Sequence, residues 1–292
     1  LHEYRTFQNM IFYLLKKDIP YVIHLHGELL YKKEKLDVFL LRRIYENLLA
    51  KKFLNHASRI FALTDYEFSQ LINLGFEKRN ISIVPNAVSP DRFINKSQKN
   101  KFKKYFNNED DRIILYVGRI YKYKGLDTLL EAFYYLSKKY NDIKLIIVGP
   151  DWGYLRYLIN MIKHYDLKNK VIFTGVLDGE LLSAAYNEAS VVVNPSMQEG
   201  FPTILLEAGL FSKPIILTDN PSIYSFKKNN LCITIEYRNV NQLQKALTKV
   251  LENPKKHRYI GKKLHDYVNQ NFTWKKVSKD IESLYYDIIK VN

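Results

Sequence analysis

Apolar runs of strand length recur along this chain, and amphipathic stretches separate them. That alternation restricts the fold more than any other feature. The runs are YVIHLHG (21–27), RIFALT (59–64), ISIVPN (81–86), RIILYVG (112–118), KLIIVG (144–149), VIFTG (171–175), VVVNPS (191–196) and PIILTD (214–219). They are continuous rather than alternating, as in parallel strands covered on both faces. Between them, GLDTLLEAFYYLSKKY (125–140) puts Leu126, Leu129, Leu130, Phe133 and Leu136 on one stripe. DGELLSAAYNEA (178–189) opens on Asp178, a suitable N-cap. Strands alternating with helices predict doubly wound βα units with a parallel sheet. Beyond residue 239 the pattern turns helical, roughly over 239–251, 255–270 and 273–289.

A polar stretch, 86–111, breaks the strand series and reads as a linker between two Rossmann-like domains. The boundaries expected are 1–100, 101–272 and a closing helix at 273–292. The second domain has a full set of strands. The first has about three and begins at Leu1 rather than Met, so it is expected to be incomplete, the chain being a fragment. At 47% hydrophobic and 26% charged residues, a packed core is expected and disorder is not. The single cysteine, Cys232, excludes an internal disulfide. No apolar run approaches bilayer-spanning length. The net charge of +15 suits nucleic acid or anionic lipid as partner, but the lysines are scattered and form no basic tail.

Chemistry gathers in QEGFPTILLEAG (198–209). A buried strand ends at Asn194-Pro195-Ser196, a loop carries Glu199 and Gly200, and Pro202 fits the first position of a helix. Such a start leaves the amides of Thr203, Ile204 and Leu205 pointing out of the carboxyl edge of the sheet, where the helix dipole favours an anion. Glu207 stands four residues after Thr203, on the same side and one turn deeper, and suits a diol such as a ribose. Glu199 precedes the helix and suits a group beyond the phosphates. Taken singly, each glutamate reads as readily as a helix-start charge or a surface acid; the pair around Gly-Phe-Pro is the more specific signal. At the end of strand 112–118, Arg119 and Lys124 sit at the same edge, although Lys124 alone reads equally as one more surface lysine.

VGRIYKYKG (117–125), IIVGP, VIFTG, VVVNPS, EGFPTILLEA and KPIILTD together resemble the nucleotide-binding half of family-4 retaining glycosyltransferases with the GT-B fold. Glu199 and Glu207 match that family's E-x7-E signature, and VPNAV (84–88) resembles its PNGV segment with Ala87 in place of glycine. The resemblance implies two Rossmann-like doubly wound domains and transfer of a sugar from a UDP- or GDP-sugar with its anomeric configuration kept. It implies catalytic roles for His26, Arg119, Lys124 and Glu199. It implies donor binding by Gly27, Gly118, Gly149, Gly200, Phe201, Pro202, Thr203, Ile204, Leu205 and Glu207. His26, at the end of HLHG (24–27), is matched to the histidine facing the donor sugar, with Gly27 letting the backbone approach a ligand. His24 is expected to point away from His26 and to be packed. Without the resemblance a strand-end histidine reads as structural. The family's Gly-Gly-x-x-Glu stretch is replaced here by DNPSIYSF (219–226).

By the same resemblance the acceptor hydroxyl attacks on the face the phosphate leaves, and Glu199 positions sugar hydroxyls without forming a covalent intermediate. No Asp-x-Asp triplet is present, so Arg119, Lys124 and the helix-start amides are expected to hold the diphosphate with neither metal nor cofactor. The closing helix carries a stripe of Val277, Ile281, Leu284, Tyr285 and Ile288. It is expected to cross back onto the first domain; packing alone equally allows it to cap the second. The expected acceptor is a glycan or lipid-linked hydroxyl, the location cytoplasmic, with peripheral contact to anionic membrane and no nucleic acid. A nucleotide-sugar epimerase of the same fold, or a non-catalytic basic binding protein, is the alternative.

Overall fold

A computed structural model describes residues 1–15, 19–27, 29, 50–93, 102, 111–177 and 179–291. The chain divides into two compact units: Leu1–Asn86 with Glu199–Phe201 and Lys275–Asn292, and Ala87–Gln198 with Pro202–Trp274. Asp178 and most of the polar stretch after residue 93, including the boundary read at 100/101, lie outside the described residues.

In the first unit the described elements are α1 (Phe7–Leu15), β1 (Val22–His24), α2 (Lys51–Asn55), β2 (Arg59–Ala62), α3 (Asp65–Asn73) and β3 (Ile81–Ile83). The strands make a parallel sheet in the order β1-β2-β3. Residues 1–3 extend it: His2 bridges His24 in parallel, and the Glu3 amide donates to the His24 carbonyl at 2.9 Å. Tyr4, Ile23, Leu25, Phe53, Ile60 and Leu71 are buried in its core. From Lys275 on, the closing helix belongs to this unit, and the Tyr285 ring lies 6.2 Å from that of Phe61 on β2.

The second unit holds β4 (Arg112–Val117), α4 (Leu126–Lys139), β5 (Ile143–Val148), α5 (Leu155–His164), β6 (Val171–Gly175), α6 (Gly179–Glu188) and β7 (Ala189–Asn194). Then come α7 (Thr203–Leu210), β8 (Ile215–Thr218), α8 (Tyr224–Lys228), β9 (Ile233–Ile235), α9 (Val240–Glu252), α10 (Pro254–Asn271) and the start of α11 (Trp274–Val291). Every expected strand forms, and β9 is added at an edge. The stripe expected on α4 is buried throughout.

The six strands pair in parallel in the order β6-β5-β4-β7-β8-β9. The chain winds outward one way from β4 and the other way from β7, which are neighbours in the sheet. A doubly wound sheet opens a crevice where its winding reverses, at the carboxyl ends of those two strands. Those ends are Val117-Gly118-Arg119 and Asn194-Pro195-Ser196, the two segments the sequence marks for chemistry.

Candidate active site

Backbone packing sets the two strand ends of the second unit. Gly125 caps α4 in the left-handed region, φ 69°, and a Cβ there would stand 2.1 Å from the Pro195 carbonyl oxygen. Only glycine permits that approach. The Met197 amide donates to the Tyr123 carbonyl at 2.9 Å, so the turn carrying Lys124 is tied to the loop after β7. Asn194 folds its Oδ1 back onto Ser196, accepting from Oγ at 2.6 Å and N at 3.4 Å. Gly149 serves packing between strand ends: a Cβ there would meet the Gly118 carbonyl oxygen at 2.0 Å.

Pro202 occupies the N-cap rather than the first helical position, and α7 begins at Thr203. With φ −73° and ψ 109°, Pro202 holds the extended conformation that turns the chain into the helix. Its carbonyl accepts from the Leu205 amide at 3.1 Å, so Leu205 is drawn into the turn. The amides of Thr203 and Ile204 come before any carbonyl the helix could offer them.

Glu207 lies one turn into α7, half-buried, and its Oε2 accepts from the Tyr186 hydroxyl at 2.5 Å. Tyr186 is fully buried on α6 and stacks on Phe211, centroids 5.1 Å apart. Burial first, and then the Glu207 charge, push its phenol well above the ordinary range. It therefore stays a donor and fixes the carboxylate. Arg119 is placed by Trp152: its guanidinium sits 4.5 Å from the ring centroid, and its carbonyl accepts from the Tyr116 hydroxyl at 2.9 Å. Trp152 is itself held by a hydrogen bond from its amide to the Ile120 carbonyl, 2.9 Å. The segment 219–226 folds as a short turn in which Asn220 Oδ1 accepts from the Ser222 amide at 3.0 Å, followed by α8.

The first unit gathers a second group. Beyond β1 the chain turns sharply: His26 has φ 55° and Gly27 φ 82°. A Cβ on Gly27 would stand 2.6 Å from the Gly200 Cα, and one on Gly200 2.9 Å from the Gly27 Cα. The two backbones are in contact, so His26-Gly27 and Glu199-Gly200 lie side by side. Asn86 supports the loop by donating from Nδ2 to the Phe201 carbonyl at 3.3 Å.

Glu67 fixes the same turn from behind. Thr64 caps α3, accepting from the Glu67 amide at 3.1 Å. In a capping box the acid would reach back to the cap residue's own amide. Here its oxygens instead take the Gly27 amide at 3.0 Å and the Leu63 amide at 2.8 Å. Burial pushes the Glu67 carboxyl up, and those two hydrogen bonds pull it back only in part.

His24 does not point away from His26. β1 ends at His24 and His26 lies in the left-handed turn beyond it, φ 55°, so strand alternation does not set the pair; the rings stand 4.2 Å apart, with His2 stacked on His26 at 4.9 Å. Burial, and then repulsion from His26 and His2, lower the His24 imidazole to about 4. His26 is lowered for the same reasons, burial first and then His2. Both are neutral near pH 7. Sequence reading missed His2, Glu67, Trp152 and Tyr186; Thr64-Asp-Tyr-Glu67 as a capping signature was the one local clue to Glu67.

The family model described as "Glycosyl transferases group 1" matches residues 97–266, and that of "Glycosyltransferase Family 4" matches residues 1–92. An "Uncharacterized glycosyltransferase MJ1607" of Methanocaldococcus jannaschii is 28% identical over 70% of this chain and 53% of its own length. The GPI3 subunit of the Saccharomyces cerevisiae phosphatidylinositol N-acetylglucosaminyltransferase is 24% identical over 71% and 46%. The chain thus spans about half the length of these curated relatives. Among solved structures, sucrose-phosphate synthase from Thermosynechococcus elongatus superposes with a TM-score of 0.83, 21% identity, covering 100% of this chain and 73% of that one. Anabaena HepE, in complex with UDP and glucose, gives 0.78 and 18%, covering 92% and 72%. These likenesses bear out the two Rossmann-like domains of the GT-B fold.

Proposed function

The chain belongs to the group 1 glycosyl transferases, and we propose that it moves a sugar from a UDP-sugar to a hydroxyl of a glycan or lipid-linked acceptor. The carrying observation is the group at the winding reversal: Thr203 and Ile204 amides at a helix start, Glu207 fixed by Tyr186, and Arg119 on Trp152 beside the Lys124 turn. A nucleoside diphosphate matches that order of parts. Glu207 takes the ribose hydroxyls, and the amides with Arg119 and Lys124 take the diphosphate. The relatives acting on phosphatidylinositol and the neighbour solved with UDP support the acceptor class and the base. GDP is the second choice of base.

As the anomeric carbon–oxygen bond to phosphate breaks, positive charge grows on the sugar and negative charge on UDP. Preorganised donors at the leaving oxygens supply the main stabilisation, and cationic side chains do this without a bridging metal. The acceptor oxygen bonds to the anomeric carbon on the face the phosphate leaves, and its proton passes to the leaving phosphate oxygen. Configuration is therefore retained. His26, neutral at pH 7, and Glu199 hold sugar hydroxyls.

Among the described residues no helix is long and apolar enough to cross a membrane. The +15 charge supports peripheral attachment to anionic lipid at a cytoplasmic face; co-sedimentation with phosphatidylserine vesicles tests that part. The central test is UDP release and product anomer with acceptor present, comparing Glu207→Ala and Lys124→Ala. Each is expected to lose on the order of 100-fold in turnover. Wild-type turnover in both variants would sink the assignment. A thermal-shift panel of UDP- and GDP-sugars fixes base and sugar together.

A further inference from the structure

Three histidines converge on the first unit, and the proposed transfer employs only one of them. His24 ends β1, His26 follows the sharp turn, and His2 is brought alongside by its parallel bridge to His24. Asn9 clamps the His2 segment, donating from Nδ2 to the carbonyls of His2 and Glu3 at 2.7 and 2.6 Å. One ring nitrogen from each histidine lies within 4.8 Å of the others. His2 Nδ1 and His26 Nε2 are 2.6 Å apart. Two bare nitrogen lone pairs repel at that distance, so a proton or a cation must lie between them. His24 is oriented from outside the cluster: its Nε2 donates to the Val84 carbonyl at 3.1 Å. That bond fixes the tautomer and leaves Nδ1 with its lone pair, the arrangement in which protein carbonyls prepare histidines for metal.

We propose that His2, His24 and His26 bind a late first-row divalent cation, with Zn2+ as the principal case. Neutral imidazoles suit zinc, and three of them leave one position for water. Zinc–nitrogen bonds of about 2.0–2.1 Å in a tetrahedral set place ligand nitrogens roughly 3.4 Å apart. The His2–His26 pair must open by less than about 1 Å to reach that spacing, which rotation of the exposed His2 ring supplies. Glu3, whose charge acts on His26, offers a compensating carboxylate close by. A bound cation withdraws His26 from other partners. Where His26 holds the donor sugar, metal and donor then compete; that consequence rests on the proposed transferase reading, whereas the binding itself does not.

The test is titration of the chelator-stripped chain with Zn2+ by calorimetry, and with Co2+ by visible absorption. Wild type is expected to take one Zn2+ per chain and to give the intense absorption of low-coordinate Co2+. His2→Ala and His26→Ala should each weaken Zn2+ by at least the 10- to 100-fold typical of losing even a supporting partner. His24→Gln keeps a donor for the Val84 carbonyl, so it preserves the fold while removing the ring ligand, and should weaken binding as much. His164→Ala, on the second unit, should change nothing. Equal affinity in wild type and His2→Ala, or a Co2+ spectrum no stronger than that of the hydrated ion, overturns the site. UDP-sugar thermal shifts in the presence of chelator test the transferase reading separately, so either idea can fail without the other.

Discussion

Replacing Glu67 probes how the turn at His26-Gly27 is held. Glu67 is 3% exposed and accepts from two backbone amides at 3.0 and 2.8 Å. Alanine leaves both amides without an acceptor, at about 1–3 kcal/mol each, or about 2–6 kcal/mol in all. Glutamine keeps one acceptor oxygen and presents an NH2 to the other amide, so it loses about half as much. Removing a buried charge returns part of the cost, since burial raises the Glu67 carboxyl above its ordinary range, and the lower half of each range is expected. Against a typical total of about 5–15 kcal/mol the loss is easily measured. A group whose folded-state pKa is raised binds its proton more readily folded than unfolded. Its contribution is present below the ordinary carboxylate value of 4.5 and is lost as pH rises through the folded value. Glu67→Gln should abolish that slope. Urea unfolding followed by circular dichroism at several pH values reads all of this. The expected order of stability is wild type, then Gln, then Ala. A glutamine variant as unstable as alanine, or an alanine variant within about 0.5 kcal/mol of wild type, would refute the two-amide account.

Gly200→Ala puts a methyl 2.9 Å from the Gly27 Cα and 3.2 Å from the His26 carbonyl oxygen. Shifting His26 by even part of an ångström is expected to cost on the order of 100-fold in sugar transfer with little change in Tm; parallel activity and melting measurements separate the two. Tyr186→Phe removes the donor that fixes Glu207, so UDP affinity should fall about tenfold, the equivalent of about 1.4 kcal/mol; unchanged UDP calorimetry would show that Glu207 needs no such support. Lys213, half-buried with its Nζ donating to the Asn187 carbonyl at 2.6 Å, is lowered to about 8 by burial and then by Arg258, against Glu188 acting the other way. Its folded form releases the proton first, so this residue costs stability below about 8 and returns it as pH rises towards 10.5. Lys213→Met should therefore stabilise at pH 7 by up to about 2 kcal/mol and flatten the alkaline slope, which denaturant midpoints at pH 7 and pH 9.5 would register.

The strands were legible because burial on both faces writes itself as an unbroken apolar run, and burial is the same fact in sequence and structure. Ile233–Ile235 escaped for the converse reason: it reads Ile-Thr-Ile and its first two residues are only half-buried, so no unbroken apolar run marks it. The place of Glu207 one turn into its helix was legible because a helix converts spacing into direction. What sequence could not supply was the second member of each contact. Tyr186 stands 21 residues before Glu207 and Glu67 stands 40 after Gly27, and no local period links them. A fully buried tyrosine hydroxyl must find a partner, so the lone aromatic in LLSAAYNEA signalled that a polar group awaited it without saying which. The histidines teach the sharper lesson. The contact of His24 with His26 depended on a left-handed turn just past the strand end, and the approach of His2 on a parallel bridge and on Asn9, all made only once the chain has folded. Local geometry is thus readable wherever the backbone fixes a direction. A site whose residues come from separate segments becomes visible only through the buried polar groups that each segment leaves unsatisfied by itself.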